Sequence, residues 1–164
     1  MNASNIITLI ISVLALVISF VAGQRSIQAT RAASMLALVG TVFARRNQPE
    51  FVTAMTEIRA DDFGRGVDPA RGFSGLPEPV RSHAYLVSNF FDDMGKLIAH
   101  KVMKEDIIIG TYGQAGLYAW QALQPYVEGQ RVLNRSNFQI YFEYLSKRVV
   151  ARPPDSIHRK LKIL

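Results

Sequence analysis

The chain has 164 residues, of which 49% are hydrophobic and 20% are charged, with a formal net charge of +6 and no cysteine. The lack of cysteine excludes a disulfide framework, a thiolate metal centre and a cysteine nucleophile. After an apolar first segment about 140 residues remain, which suits one domain with its own core.

The first segment of the chain is apolar and uncharged. From Ile6 to Ala22, seventeen residues include three polar ones, all serine or threonine, whose hydroxyls can bond to the preceding helical turn. The run is at the short end of the length that crosses a bilayer, and it predicts a transmembrane anchor over residues 1–23. A cleaved signal peptide is disfavoured because no basic residue precedes the run. A buried core helix is a third interpretation.

Basic residues flank this segment on one side only. None precedes it, and four arginines follow before the first acidic residue of the chain: Arg25, Arg31, Arg45 and Arg46. Basic flanking residues are retained on the cytoplasmic side of a membrane. The pattern therefore predicts a single-pass protein of the inner or plasma membrane, with its N-terminus outside and residues 24–151 as a cytoplasmic domain.

Helical periodicity dominates the rest of the chain. Apolar residues recur at helical spacing in several segments, most clearly at 79–99 and 138–149. Residues 61–79 hold four glycines and three prolines, which indicates a flexible surface loop. The predicted fold class is all-α: one transmembrane helix, continuous with a long helix, followed by a bundle of four to six helices.

Helix boundaries are marked at two further places. Glu105 and Asp106 are typical of a helix N-terminus, where carboxylates interact favourably with the helix dipole. Ser136 and Gln139 have the spacing of a capping box for the last strongly periodic helix.

Several motifs of the second half occur in a familiar order. They are an aromatic-rich helix, "LVSNFFDDMGKLI", the acidic helix start, Trp120, Arg131 and a terminal "YFEYLS". This order resembles an uncharacterised bacterial family over residues 33–148, although the turn "AHKVM" departs from the Gly-Leu-Ile-Asp turn of that family. The resemblance implies an N-terminal membrane span and a cytoplasmic all-helical domain. It brings no known catalytic residue.

Asp92, Asp93 and His100 are the candidate metal ligands, because carboxylates and an imidazole on one helix face can hold a divalent ion. Lys96 stands between them at helical spacing and favours ordinary surface ion pairs instead. We therefore predict no metal site and no cofactor.

Arg131 and Glu143 fall on neighbouring predicted helices, near Trp120. A pair of this kind more often fixes the register of two helices than takes part in chemistry. Trp120 lies among aromatic residues at helical spacing, which is typical of a core. All three residues are predicted to be structural.

The last segment, residues 152–164, is a basic tail. Solvated disorder is the favoured interpretation, and contact with lipid head groups follows, because apolar residues accompany the charges. Nucleic acid is an unlikely partner, since the tail offers charge without base readout. The residues predicted to bind lipid or a partner are Arg25, Arg31, Arg45, Arg46, Arg159, Lys160 and Lys162.

The predicted function is a membrane-anchored helical interaction or regulatory module with the bilayer and a protein as partners, and it is not an enzyme. Homo-oligomers are compatible with this function. A first alternative is a membrane-active effector whose span oligomerises through small residues: Ala15, Ser19 and Gly23. A second alternative is a metal-dependent hydrolase that uses the candidate ligands named above.

Overall fold

A computed structural model describes residues 44–162 continuously and, before them, residues 15–16, 18–24, 26, 30, 37 and 40–42. The chain divides into two compact units, Met1–Phe43 and Ala44–Leu164. The described residues of the first unit are helical. Two of their hydroxyls, those of Thr30 and Thr41, donate hydrogen bonds to the carbonyl four residues earlier.

The predicted membrane span is corrected by the structure. None of the helices formed by the described residues is both long enough and apolar enough to cross a bilayer. A hydrocarbon core about 30 Å thick needs about 20 consecutive apolar helical residues, and the described stretches contain no such run. The prediction of a single-pass protein of the inner or plasma membrane, with its N-terminus outside, is therefore wrong on this finding.

Part of that predicted span is outside the described residues. Residues 1–14 and 17 lie there, as do Arg25 and Arg31 and most of the predicted long helix that follows the span.

The second unit is built from helices. Between residues 47 and 162 the α-helices are α1 (Pro49–Ile58), α2 (Val80–Ala99), α3 (Glu105–Asn134), α4 (Ile140–Ala151) and α5 (Pro154–Lys160). Two short 3-10 helices, Pro69–Arg71 and Phe73–Gly75, lie between α1 and α2. Residues 44–162 contain no strand, so the all-helical prediction is confirmed for this part of the chain.

The long helix α3 begins where the acidic pair predicts it. Lys104 is extended, and Glu105 and Asp106 occupy the first turn. The helix then continues through Pro125, where the sequence predicts a kink or a break. Gln121, whose carbonyl loses its usual partner at this proline, lies on the exposed face of the helix, where water can replace the lost donor.

Aromatic side chains fill the core between the first four helices. Phe90 and Phe91 of α2 are buried, and the ring of Phe91 stacks on Phe142 of α4 with centroids 5.4 Å apart. Phe51 of α1 packs on Phe90 from the other side, at 4.6 Å. The core is therefore a continuous row of rings that joins α1, α2 and α4.

The segment 61–79 is attached to this core. Phe73 and Leu76 are buried, and the backbone N–H of Phe73 donates to Oε1 of Gln130 in α3 at 3.0 Å. The predicted flexibility of the segment stays a prediction, to which the structure adds two apolar anchors.

The basic tail contains a packed helix. In place of the favoured disorder, residues 154–160 form α5, whose Ile157 is 0% exposed. Nε2 of His158 lies 3.0 Å from the carbonyl oxygen of Gly110. Ile157 lies beside Gly110 of α3, and the ring of Pro154 at the start of α5 lies against Gly113, where an added Cβ would come within 3.2 Å of it. The helix α5 is therefore packed directly on α3.

Helices α2 and α4 approach most closely at Gly95. A Cβ atom at this position would overlap the backbone carbonyl of Tyr141. At Gly110, by contrast, an added Cβ would meet its nearest neighbours at 3.6 Å, an ordinary contact.

We therefore expect Gly95→Ala to lower the free energy of unfolding by about 1–3 kcal/mol through overpacking. Gly110→Ala, the control within another helix, should leave it unchanged or raise it by up to about 1 kcal/mol through helix propensity. Urea unfolding followed by circular dichroism measures both. Equal effects of the two substitutions would contradict the close approach at Gly95.

Candidate functional site

Asp92 caps a helix to which it does not belong. It lies in α2 and is 8% exposed, and its Oδ1 accepts hydrogen bonds from the backbone N–H groups of Tyr141 and Phe142, both at 3.0 Å. These N–H groups are in the first turn of α4, where a helix has no partners of its own for them. A carboxylate at that position also interacts favourably with the helix dipole.

Gln139, the residue that precedes α4, does not cap the helix with its own side chain. Gln139 has a φ of 55°, and its side chain is buried against Ser88 and Asn89 of α2. The capping box that the sequence predicts from Ser136 and Gln139 is therefore replaced by a cap from another helix.

Lys96 balances the charge of the cap. Its Nζ lies 2.9 Å from Oδ2 of Asp92 and 3.2 Å from Oδ1 of Asp93. The pKa of Lys96 is raised above its ordinary value, chiefly by the hydrogen bond to Asp92. Asp93 also faces Arg45 at 3.5 Å. The surface ion pairs expected from the spacing are thus present.

His100 lies apart from the two carboxylates. Its Nε2 is 3.3 Å from the hydroxyl of Tyr141, and its side chain is exposed. Within the described residues no group of three or more histidine and acidic side chains converges as a metal site would require. The structure therefore brings Asp92 and Asp93 to Lys96 and does not join them with His100 in one metal site.

Arg131 and Glu143 are in contact, as the sequence predicts. The guanidinium NH1 of Arg131 donates to Oε2 of Glu143 at 2.6 Å, and its Nε donates to the carbonyl oxygen of Phe138 at 2.7 Å. Lys147 also pairs with Glu143. These bonds lower the pKa of Glu143, with Lys147 the larger cause and Arg131 the second. The cluster connects the end of α3 to the first turns of α4.

Trp120 is a core residue. Its ring packs edge-on against Phe142, with centroids 5.1 Å apart. It is 7% exposed, so it cannot serve as a stacking platform for a ligand.

A second set of ion pairs connects the other ends of α3 and α4. Arg148 makes a two-pronged pair with Glu105 at 2.9 and 2.7 Å. Arg152 also pairs with Asp106 through both ends of its guanidinium, with NH2 3.1 Å from Oδ2 and NH1 in contact with Oδ1. The acidic residues that mark the start of α3 therefore also hold α4 in place.

The residues predicted to bind lipid or a partner have different environments. Arg45 is paired with Asp93, Arg46 lies over the ring of Tyr112 at 5.3 Å, and Lys160 lies 3.5 Å from Asp106. Arg159 and Lys162 are exposed.

An open groove lies between the end of α1 and the outer face of α3. Its volume is about 730 Å³. The sequence predictions do not include this groove. The signal that could have pointed to it is a polar and aromatic face on α3, with Thr111, Gln114, Tyr118 and Gln121 at helical spacing. The lining consists of Arg46, Ile58, Arg59, Ala60, Thr111, Gln114, Ala115, Tyr118, Gln121 and Ala122.

A family model for a domain of unknown function, DUF4760, matches residues 3–149. The chain belongs to this family. The DUF4760 match covers α1, α2, α3 and most of α4, and it confirms the predicted resemblance to an uncharacterised domain family. The match supports neither of two further properties that the resemblance implies, a bacterial origin and a membrane span. No curated protein and no solved structure matches the chain.

Because Asp92 caps α4, Asp92→Ala should lower the free energy of unfolding by about 1–3 kcal/mol, since two N–H groups of the first turn lose their acceptor. Asp93→Ala, at its half-exposed neighbour, should lower it by less than about 0.5 kcal/mol. Urea unfolding at pH 7 compares them. A cost for Asp93→Ala that matches that of Asp92→Ala would refute the cap.

The lowered pKa of Glu143 makes its contribution to stability depend on pH. The ionised carboxylate is favoured in the folded state, so the contribution is complete above the ordinary value of 4.5 and is lost as the pH falls through the folded pKa. Glu143→Gln should therefore lower the free energy of unfolding at pH 7 by about 1–3 kcal/mol. The difference from the unsubstituted chain should shrink below pH 4.5. Urea titrations between pH 7 and pH 3 test this, and a difference that is constant with pH would contradict it.

Proposed function

We propose that this DUF4760 chain is a helical interaction module that recruits or regulates a partner protein and does not turn over a substrate. The observation that carries the proposal is a contrast between two sets of polar side chains. Those with the chemistry of an active site bond to other helices, whereas those along the groove face solvent.

The first set supports the proposal through its geometry. The carboxylate of Asp92 is used by two backbone N–H groups and by Lys96. Glu143 is enclosed by Arg131 and Lys147. Groups bound in this way stabilise the arrangement of helices, and they have little capacity left to bind a substrate or to exchange a proton with it.

The second set is available to a partner. Tyr118 is 53% exposed, and Arg59 is exposed and makes no ion pair with any residue between 44 and 162. Tyrosine and arginine are enriched where proteins bind one another. An exposed surface of this composition on a rigid scaffold is typical of a recognition site.

The hydrolase alternative has weaker support. It needs Asp92, Asp93 and His100 around one ion, and Asp92 is committed to α4 while the His100 ring lies against Tyr141. The effector alternative depends on a membrane span, and it is set aside with that prediction.

The test is cross-linking of the full chain in its native cells, followed by mass spectrometry. We expect a covalent complex of defined mass with one partner, and we expect the same complex when Asp93→Asn and His100→Gln are combined. This double variant is the control that removes two of the three candidate ligands of a hydrolase.

Recovery of the chain as an uncross-linked monomer would refute the proposal. Loss of the complex in the double variant would point to the side chains around Asp93 and away from the groove. A complex that contains two copies of the chain would identify the partner as the protein itself.

A further inference from the structure

The groove is long enough for a helix to lie in it. Its α3 wall runs from Thr111 to Ala122, a distance of about 16 Å along the helix axis. Tyr118 lies near the middle of this wall. The end of α1, with Ile58, Arg59 and Ala60, forms the opposite side. Two to three turns of a second helix match this length.

A smaller cavity, with arginines at its edge and aromatic rings among its walls, opens beside the groove. It has a volume of about 190 Å³ and shares Arg46, Arg59 and Ala115 with the groove. The rest of its lining is mostly aromatic and apolar, with one threonine: Phe51, Val52, Met55, Thr56, Phe90, Phe91 and Tyr112. A cavity of this size and character accepts one large apolar side chain.

The charge of the groove has one sign. Among the described residues that line it, the charged ones are Arg46 and Arg59, and none is a carboxylate. Both side chains are exposed. The rest of the lining is alanine, isoleucine, tyrosine, threonine and glutamine. A partner that complements this surface carries acidic side chains where it faces the arginines and an apolar side chain where it faces the smaller cavity.

We infer that the groove binds an acidic amphipathic α-helix of a partner protein. The inference deepens the proposed function and rests on it. One large apolar side chain of that helix enters the smaller cavity, and carboxylates one turn away pair with Arg46 and Arg59. A helix bound in a groove presents anchors at positions i, i+3, i+4 and i+7, which places both kinds of side chain on the same face.

The smaller cavity beside the arginines favours this occupant over nucleic acid. A phosphate backbone would also pair with the arginines, but it offers nothing for a buried cavity with aromatic walls. The acidic helix, by contrast, can bury an apolar side chain in this cavity, and that burial contributes to its affinity. The ion pairs with the arginines then determine the orientation of the helix.

The test measures fluorescence anisotropy of a labelled peptide titrated with the full chain. The probe is an 18-residue helical peptide with leucine at i, i+4 and i+7, glutamate beside the leucines and alanine elsewhere. Its matched control has lysine in place of every glutamate. We expect the acidic peptide to bind and the basic peptide to bind at least tenfold more weakly, with a difference that decreases as salt is added.

Variants of the chain locate the bound peptide. Arg59→Glu should weaken binding of the acidic peptide about tenfold or more, and Tyr118→Ala should weaken it severalfold. Both side chains are exposed, so neither change should unfold the chain. Arg135→Glu is the matched control, because the exposed Arg135 follows α3 directly, 13 residues after Ala122, and is therefore about 20 Å from the end of the groove. It should have no effect.

Equal binding of the two peptides, or an acidic peptide that binds the Arg59→Glu variant normally, would overturn the inference. A dimer of the chain that forms without peptide and is abolished by Arg59→Glu would also overturn the inference, because a second copy of the chain would then occupy the groove. If the cross-linked partner persists in the Arg59→Glu variant, the groove inference fails and the proposed function stands. If the chain forms no complex at all, the proposed function fails.

Discussion

The arrangement of the helices depends on the first turn of α4. Two of its backbone N–H groups, those of Tyr141 and Phe142, have no acceptor within the helix, and Gln139, with its positive φ, directs its side chain toward α2. Asp92 supplies the missing acceptor from α2. Gly95 and Lys96, three and four residues later on the same face, provide the space and the balancing charge. Three neighbouring positions of one helix turn thus fix the register between two helices.

That register determines the rest of the bundle. With α2 and α4 fixed, Phe91 stacks on Phe142, and Trp120 of α3 packs edge-on against the same ring. Ion pairs then hold α3 against α4 near both ends, through Arg131 at one and Arg148 at the other. The outer face of α3 is left toward α1 and solvent, and it forms the groove on which the proposed recognition depends.

Local patterns predicted the helices well and the long-range contacts poorly. The apolar stripe of α2 and the acidic start of α3 are properties of neighbouring residues, and they are visible in sequence. The sequence makes Asp92 a candidate metal ligand with Asp93 and His100 of the same predicted helix, and the spacing also indicates its pair with Lys96. The two backbone N–H groups that it caps are 49 and 50 residues away and carry no local signal. Ile157 could not be recognised as buried without knowing that α5 lies against Gly110 and Gly113 of α3. The predicted span relied on local hydropathy alone, and the described helices do not bear it out.

The most direct test of the cap follows two backbone N–H groups by NMR-detected hydrogen exchange at pH 7. In the unsubstituted chain the N–H groups of Tyr141 and Phe142 should exchange slowly, since a buried carboxylate accepts both. In Asp92→Ala their protection should fall by more than tenfold relative to N–H groups in the middle of α3, whose hydrogen bonds are unchanged. If the N–H groups of Tyr141 and Phe142 keep their protection relative to α3, Asp92 does not hold α4. That result would contradict the claim that this cap fixes the register of α2 and α4.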